Sequence, residues 1–314
     1  MRPAPHALAA ATLAAVAALG SPLAAQSPAV EAVSLMDLRF YDANGGFMAD
    51  GLCLVFPPDG DASYELVVRD EGGAVKGKAQ MQLQRWGQYE VFDGLDSLGV
   101  PVFQVGEPGD YVMSVEKDGE ALTSLAFTMD KQESGDPFNP RTTFTREGPW
   151  QALAFLSSVT GKPDGPMQFH FWSCLREIPK DGSKLPQADV TLRRGDEVLA
   201  RFQSKLSISG ETWRRFNRNL VVAQDGPTVQ FTMERLLSED GEYTLVLESG
   251  GKDVKSWPLV VEGGALRPHP RSAFGYEPAT DYLVPKLIDT SRGSDGSYVQ
   301  NDVTWLESGD AGEG

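Results

Sequence analysis

Apolar residues along this chain recur mostly at every second position. In "EYTLVLE", Tyr243, Leu245 and Leu247 fall on one side, and Thr244, Val246 and Glu248 on the other. "DYVMSVE" does the same with Tyr111, Met113 and Val115. A period of two marks a strand with one buried face, because successive side chains of an extended backbone point in opposite directions. Segments of this kind span roughly 33–41, 51–56, 63–69, 74–83, 100–105, 110–116 and 122–129. Further on they span roughly 150–157, 167–175, 188–194, 197–207, 219–223, 228–233, 242–248 and 254–261. "KDGE" and "SGGK" stand between the last two segments of each set, where a tight hairpin needs residues that tolerate positive φ. No amphipathic helix of three turns is expected in either set.

The two sets share a phrase. "EPGDYVMSVEKDGEALTSLAFTM" begins at Glu107 and "EDGEYTLVLESGGKDVKSWPLVV" at Glu239, with Tyr111 and Tyr243 at an offset of 132. Upstream, Trp86 and Tyr89 match Trp213 and Phe216 at an offset of 127. Leu66 and Val68 match Val190 and Leu192 at 124, Cys53 matches Cys174 at 121, and Phe40 matches Phe155 at 115. Offsets that grow steadily are those of a tandem duplication whose second copy carries small loop insertions.

The spacing acidic-x-Gly-x-Tyr ahead of an alternating strand resembles the tyrosine corner of immunoglobulin-like sandwiches. That resemblance implies that Tyr111 and Tyr243 bond a nearby backbone group where the chain crosses between sheets, with Gly109 and Gly241 at the tight turn. It covers about a quarter of each copy and implies a fold, not a function. The antibody-type Cys two residues after the Tyr is replaced by Met113 and Leu245.

The expected architecture is all-β: two tandem immunoglobulin-like β-sandwich domains at 30–130 and 149–262, followed by an extended, mostly irregular C-terminal tail at 263–314. The polar, turn-rich segment 131–148 reads as a linker. The tail holds Phe274, Tyr276, Tyr282, Leu283, Ile288, Tyr298 and Trp305, too apolar for a solvated extension, and is expected to pack back on a domain.

Residues 1–25 read as a secretory signal: Arg2, an apolar run from Ala7 to Gly20, then small residues before Gln26. No later apolar stretch is long enough to span a bilayer, so the expected product is exported, periplasmic or extracellular, and not an integral membrane protein. The 33 Gly and 21 Pro suit many strands and turns. A net charge of −16 argues against nucleic acid and anionic lipid as partners.

Candidate chemistry is sparse. Past the leader only His170 and His269 remain, which excludes a site of several His ligands. His170 alternates with Phe169 and Phe171 and reads as a strand residue satisfied locally. The matched positions of Cys53 and Cys174 place them a domain apart, so two free, buried thiols are expected rather than a disulfide. No G-x-S-x-G elbow, H-E-x-x-H helix or Walker loop is present. "LIDTSRGS" from Leu287 has Ser291 where the aspartic-protease signature has Gly, and that chemistry needs a second carboxylate motif. No cofactor is expected. The acid-rich loops with Asp59 and Asp61, and with Asp295 and Asp302, leave Ca²⁺ open without matching an EF-hand loop.

One local feature breaks the acidic pattern. "ETWRRFNRNL" interleaves Arg214, Arg215 and Arg218 with Trp213 and Phe216, whereas the matching "QRWGQYEV" keeps the aromatics without the arginine cluster. Trp213, Arg214, Arg215 and Arg218 are therefore the candidate binding residues, able to stack on or fork around an anionic or sugar partner. The competing reading packs Trp213 and Phe216 inward and pairs the arginines with the protein's own carboxylates. The function expected is a non-catalytic binding or scaffolding protein, with a protein or polysaccharide of the cell envelope as partner. The alternatives are a carboxylate-based secreted hydrolase and a protease-inhibitor-like module.

Overall fold

In a computed structural model the described residues are 38–41, 46–49, 54–55, 61–86, 89–93, 103–104, 106–138, 140, 142–159, 162–178, 186–208, 213–270, 286–289 and 299–309. For those within 38–55 and 82–104, and for 143, 286–289 and 299–301, the description is of the backbone alone. The first strands are β1 (Leu38–Tyr41), β2 (Gly46–Ala49), β3 (Leu54–Val55), β4 (Tyr64–Asp70), β5 (Val75–Gln80), β6 (Gln82–Trp86) and β7 (Tyr89–Asp93). Then come β8 (Phe103–Gln104), β9 (Gly109–Lys117), β10 (Glu120–Glu133), β11 (Thr142–Glu147), β12 (Leu153–Ser158), β13 (Met167–Ser173), β14 (Gln187–Arg194) and β15 (Glu197–Phe202). Last are β16 (Leu206–Ser207), β17 (Arg214–Val222), β18 (Gly241–Ser249), β19 (Lys252–Glu262), β20 (Ala265–Leu266), β21 (Lys286–Asp289) and β22 (Val299–Glu307). One short helix, α1 (Met233–Leu237), starts where the Thr232 side chain accepts from the Arg235 N–H. The protein is all-β, and among the described residues no helix is long and apolar enough to cross a membrane.

A five-stranded sheet runs β11-β10-β9-β4-β5, and an eleven-stranded one runs β20-β19-β18-β14-β15-β17-β13-β12-β22-β21, with β16 against β14. Alternation decides which faces close. One core gathers Val190, Leu192, Tyr243, Leu245, Trp257 and Leu259 with Ala154, Leu156, Phe169, Phe171, Leu220 and Leu306. Both halves of the long sheet supply it, so that sheet folds over on itself around the bend from β15 to β17. A second core gathers Leu66, Val68, Met113, Val115, Leu125 and Phe127 from the five-stranded sheet. Its other wall is Phe155, Trp172, Trp213 and Trp305, on or beside the same β12, β13, β17 and β22, with Trp150 at the lead-in to β12. These central strands thus lie between two cores. Every residue of β12 is buried, and so is all of β13 except Gln168, as near-continuous apolar runs require.

The two hairpin pairs that flank this layer coincide in register. Leu66 faces Val115 and Val68 faces Met113 across β4 and β9. Val190 faces Leu247 and Leu192 faces Leu245 across β14 and β18. Tyr111 meets Phe127 as Tyr243 meets Leu259. The register slips between Val68 and Arg69 where β4 pairs with β5, and between Leu192 and Arg193 where β14 pairs with β15. Arg69 bridges to Glu116, and Arg193 to Glu248, at corresponding places. The Tyr111 hydroxyl donates to the Glu107 carbonyl at 2.7 Å, and Tyr243 to Glu239 at 2.6 Å. Gly109 and Gly241 hold φ of 151° and 156°, a conformation that side-chain-bearing residues avoid. The comparable positions Phe40, Trp86 and Tyr89 are described in backbone only, and Cys53 lies outside the described residues.

Several elements differ from the sequence expectation, β2, β7 and the start of β17 among them, and three differences bear on the architecture. Segment 131–148, read as a linker, contains the end of β10 and all of β11, paired from Thr128–Glu147 to Glu133–Thr142. Buried Phe144 holds it to the core that also takes Trp150, so that core crosses the expected domain boundary. The tail, expected to be mostly irregular, adds β22 alongside β12, from Leu153–Glu307 to Ser157–Val303. Trp305 drives this: its ring lies 5.0 Å from Phe155 and 6.4 Å from Trp172. Finally, the strand expected at 228–233 is two isolated bridges followed by α1.

Because Trp305 is 3% exposed, Trp305→Ala is expected to cost about 3–5 kcal/mol in urea denaturation. A loss below about 0.5 kcal/mol, the scale of a surface change, would show that the tail strand is not part of the core.

Candidate functional site

The basic-aromatic segment forms most of β17, and its two faces meet different surroundings. Alternation sends Arg214, Phe216 and Arg218 to one side and Arg215, Asn217 and Asn219 to the other. Cross-strand partners on β13 are Ser173 for Arg214, Trp172 for Arg215, Phe171 for Phe216, His170 for Asn217 and Phe169 for Arg218. Phe216 is half-buried and stacks on Phe171 at 5.8 Å, which anchors the stripe to the core beneath it. Arg214 and Arg218 on either side of it are exposed. Among the described residues neither makes an ion pair, and the one bond from Arg218 runs to the carbonyl of its neighbour Asn217 at 2.7 Å.

Trp213, expected to line the contact, is core instead. It is 3% exposed, and the Lys255 ammonium lies 5.0 Å from its ring centroid and 5.8 Å from that of Trp257. Lys255 also pairs with Glu177. The Trp213 carbonyl accepts from Arg146 at 3.5 Å, and Arg146 lies over the Trp150 ring. Arg215 is half-buried on this inner side. Of the four expected residues, Arg214 and Arg218 face solvent together, Arg215 points the other way, and Trp213 supports the strand from behind.

Several other cations are bound to carboxylates. Arg69 and Glu116 are joined across β4 and β9, and Ser114 also bonds this carboxylate. Burial works to raise the Glu116 pKa, but the bonds from Arg69 and Ser114 hold it below the usual value. Arg193 reaches both Asp253 and Glu248, and Arg194 reaches Glu239. Among the described residues the exposed arginines of β17 make no such pair, as is also true of the exposed Arg176, Arg201 and Arg235.

A polar pair that the sequence reading missed lies inside the central layer. His170 Nε2 and Ser157 Oγ are 3.1 Å apart, and the imidazole stacks on Phe155 at 4.2 Å. Each residue is 4% exposed, and among the described residues His170 Nδ1 has no hydrogen-bond partner. A serine nucleophile needs a base oriented by a third group, and access for substrate. Among the described residues no third group orients the imidazole, and both side chains are buried where β12 pairs with β13. The only advance signal was "SS" closing an otherwise apolar run. His269 Nε2 lies 3.4 Å from Glu307 on β22.

Cys174 is free and buried. Among the described residues no three potential His, Cys, Asp or Glu ligands stand together. Asp59, Asp295 and Ser291 lie outside the described residues, Asp61 sits in the turn before β4, and Asp302 is exposed on β22. No family model, curated protein or solved structure matches this chain.

Burial first, then the nearby Arg215 charge, pushes the His170 pKa well below its ordinary value. The unfolded chain takes up a proton near pH 6.5 that the folded chain resists, so this contribution is complete above about 6.5 and declines as pH falls. The unfolding free energy is therefore expected to drop between pH 7 and pH 5 with a slope that His170→Gln reduces. An unchanged slope in that variant would assign the acid sensitivity elsewhere.

Proposed function

We propose that this protein is an exported, non-catalytic binding or scaffolding module, and that its contact surface centres on the outward stripe of β17. One observation carries the reading. Arg214 and Arg218 stand exposed on one face of a strand, on either side of Phe216, and make no ion pair among the described residues, while Arg69, Arg193, Arg194 and Lys255 are each bound to a carboxylate. Two guanidinium groups flanking a half-buried phenyl ring can fork around carboxylates, sulfates or phosphates while the ring packs against an apolar or sugar face. A protein or acidic polysaccharide of the cell envelope has that chemistry.

The same reading takes the two hairpin pairs as tandem copies of one immunoglobulin-like module. Their matching registers, ion pairs and tyrosine bonds support this, since independent strands have no reason to slip at the same place. The tyrosines then serve the fold. The arginine cluster, present in one copy alone, is where the second acquired a contact of its own. The leader-like residues 1–25 support export.

Capture from a cell-envelope extract with the tagged chain tests the reading. An Arg214→Ala, Arg215→Ala, Arg218→Ala triple variant that keeps the wild-type urea midpoint is expected to lose the captured partner. Undiminished capture by that variant would remove the stripe from the interface.

A further inference from the structure

The outer end of the five-stranded sheet has a groove of about 640 Å³. Its apolar part is formed by Tyr111, Val112, Ala126 and Phe127, and Asp70, Glu71, Asp110 and Glu147 line it as well. Two of these carboxylates are already engaged: Asp70 pairs with Lys76, and Asp110 accepts from Thr128. Glu71 and Glu147 are exposed and make no ion pair among the described residues. Arg69, the cation in the lining, is committed to Glu116. The groove thus presents an apolar floor with net negative charge, and the β17 stripe presents an aromatic ring between two arginines that make no ion pair among the described residues.

We propose that these two surfaces are complementary and that the occupant of the groove is the Arg214–Phe216–Arg218 stripe of a second copy of this chain. The charges oppose, and each surface sets ionised groups around an apolar centre. The contact is heterologous, one patch meeting a different one, so copies join head to tail rather than about a two-fold axis. A chain of net charge −16 resists self-association through its overall field. The attraction is therefore local, and added salt both screens that repulsion and weakens the contact. This deepens the reading of the β17 stripe as a contact surface and rests on it.

Sedimentation velocity on the purified chain tests the proposal without any other partner. At low salt the weight-average mass is expected to rise with concentration over about 10 to 500 µM, the range of a small transient contact. Glu71→Lys with Glu147→Lys in one chain, and Arg214→Glu with Arg218→Glu in another, are each expected to stay monomeric while keeping the wild-type urea midpoint. Mixed in equal amounts, these two variants are expected to associate again, because each restores a complementary pair. A wild-type chain that is monomeric throughout overturns the proposal, as does association that survives either variant or a mixture that fails to associate. A monomeric chain that still captures an envelope partner through Arg214, Arg215 and Arg218 rejects self-contact alone and leaves the proposed binding function standing.

Discussion

Burial of β12 and β13 on both faces is the constraint on which the rest of the structure depends. Ala154, Leu156, Phe169 and Phe171 fill one core, while Phe155 and Trp172, on the same two strands, line the other. A strand with water on one side would carry polar residues at every second position; these do not. Two covering sheets must therefore be supplied, and the two register-matched hairpin pairs supply them. Trp150, Trp172, Trp213 and Trp305 enlarge the wall that faces the five-stranded sheet, where each ring buries on the order of 150–250 Å².

That layered arrangement explains why β17 presents two characters. Its inner side contributes to the shared layer, so Trp213 is covered by Lys255 and Arg215 sits near His170. Its outer side reaches the margin of the core that holds Phe169 and Phe171, where Phe216 is only half covered and the flanking arginines extend into solvent. The strand fixes the spacing of the two backbone positions, while the exposed guanidinium groups keep rotamer freedom that a partner must order. The groove on the five-stranded sheet depends on the same framework, since its Tyr111 and Phe127 are members of the core beneath that sheet.

Much of the fold was legible in period-two patterning, and the reasons for the exceptions are local. Tyr111, Met113, Val115 and their counterparts Tyr243, Leu245, Leu247 announced strands because one face was buried and the other was not. The repeated phrase matched Val68 with Leu192, but the pairing of Val68 with Met113 and of Leu192 with Leu245 is known from the structure alone. Residues 142–147 were hidden because Thr, Arg and Glu there serve an edge strand whose one large apolar group is Phe144. Strand β22 was hidden because its partner β12 lies about 150 residues away in sequence, and pairing at that separation leaves no local signature. The start of β17 was masked by its arginines. At the candidate site the sequence exposed the basic cluster but not its division between two faces. That division depends on whether Trp213 or Arg214 points inward, and one step along a strand reverses it. The Ser157–His170 contact was also out of reach, since only pairing between β12 and β13 brings it together.

Native-state hydrogen exchange on β9 and β18 tests the shared layer most directly. If both cores close on the same central strands, removing either sheet exposes that layer. The slowest amides of the two strands should then open with free energies within about 1 kcal/mol of each other and of global unfolding. Opening of β9 and β10 at several kcal/mol below β18 and β19 would contradict the account and describe two independently folding sandwiches instead.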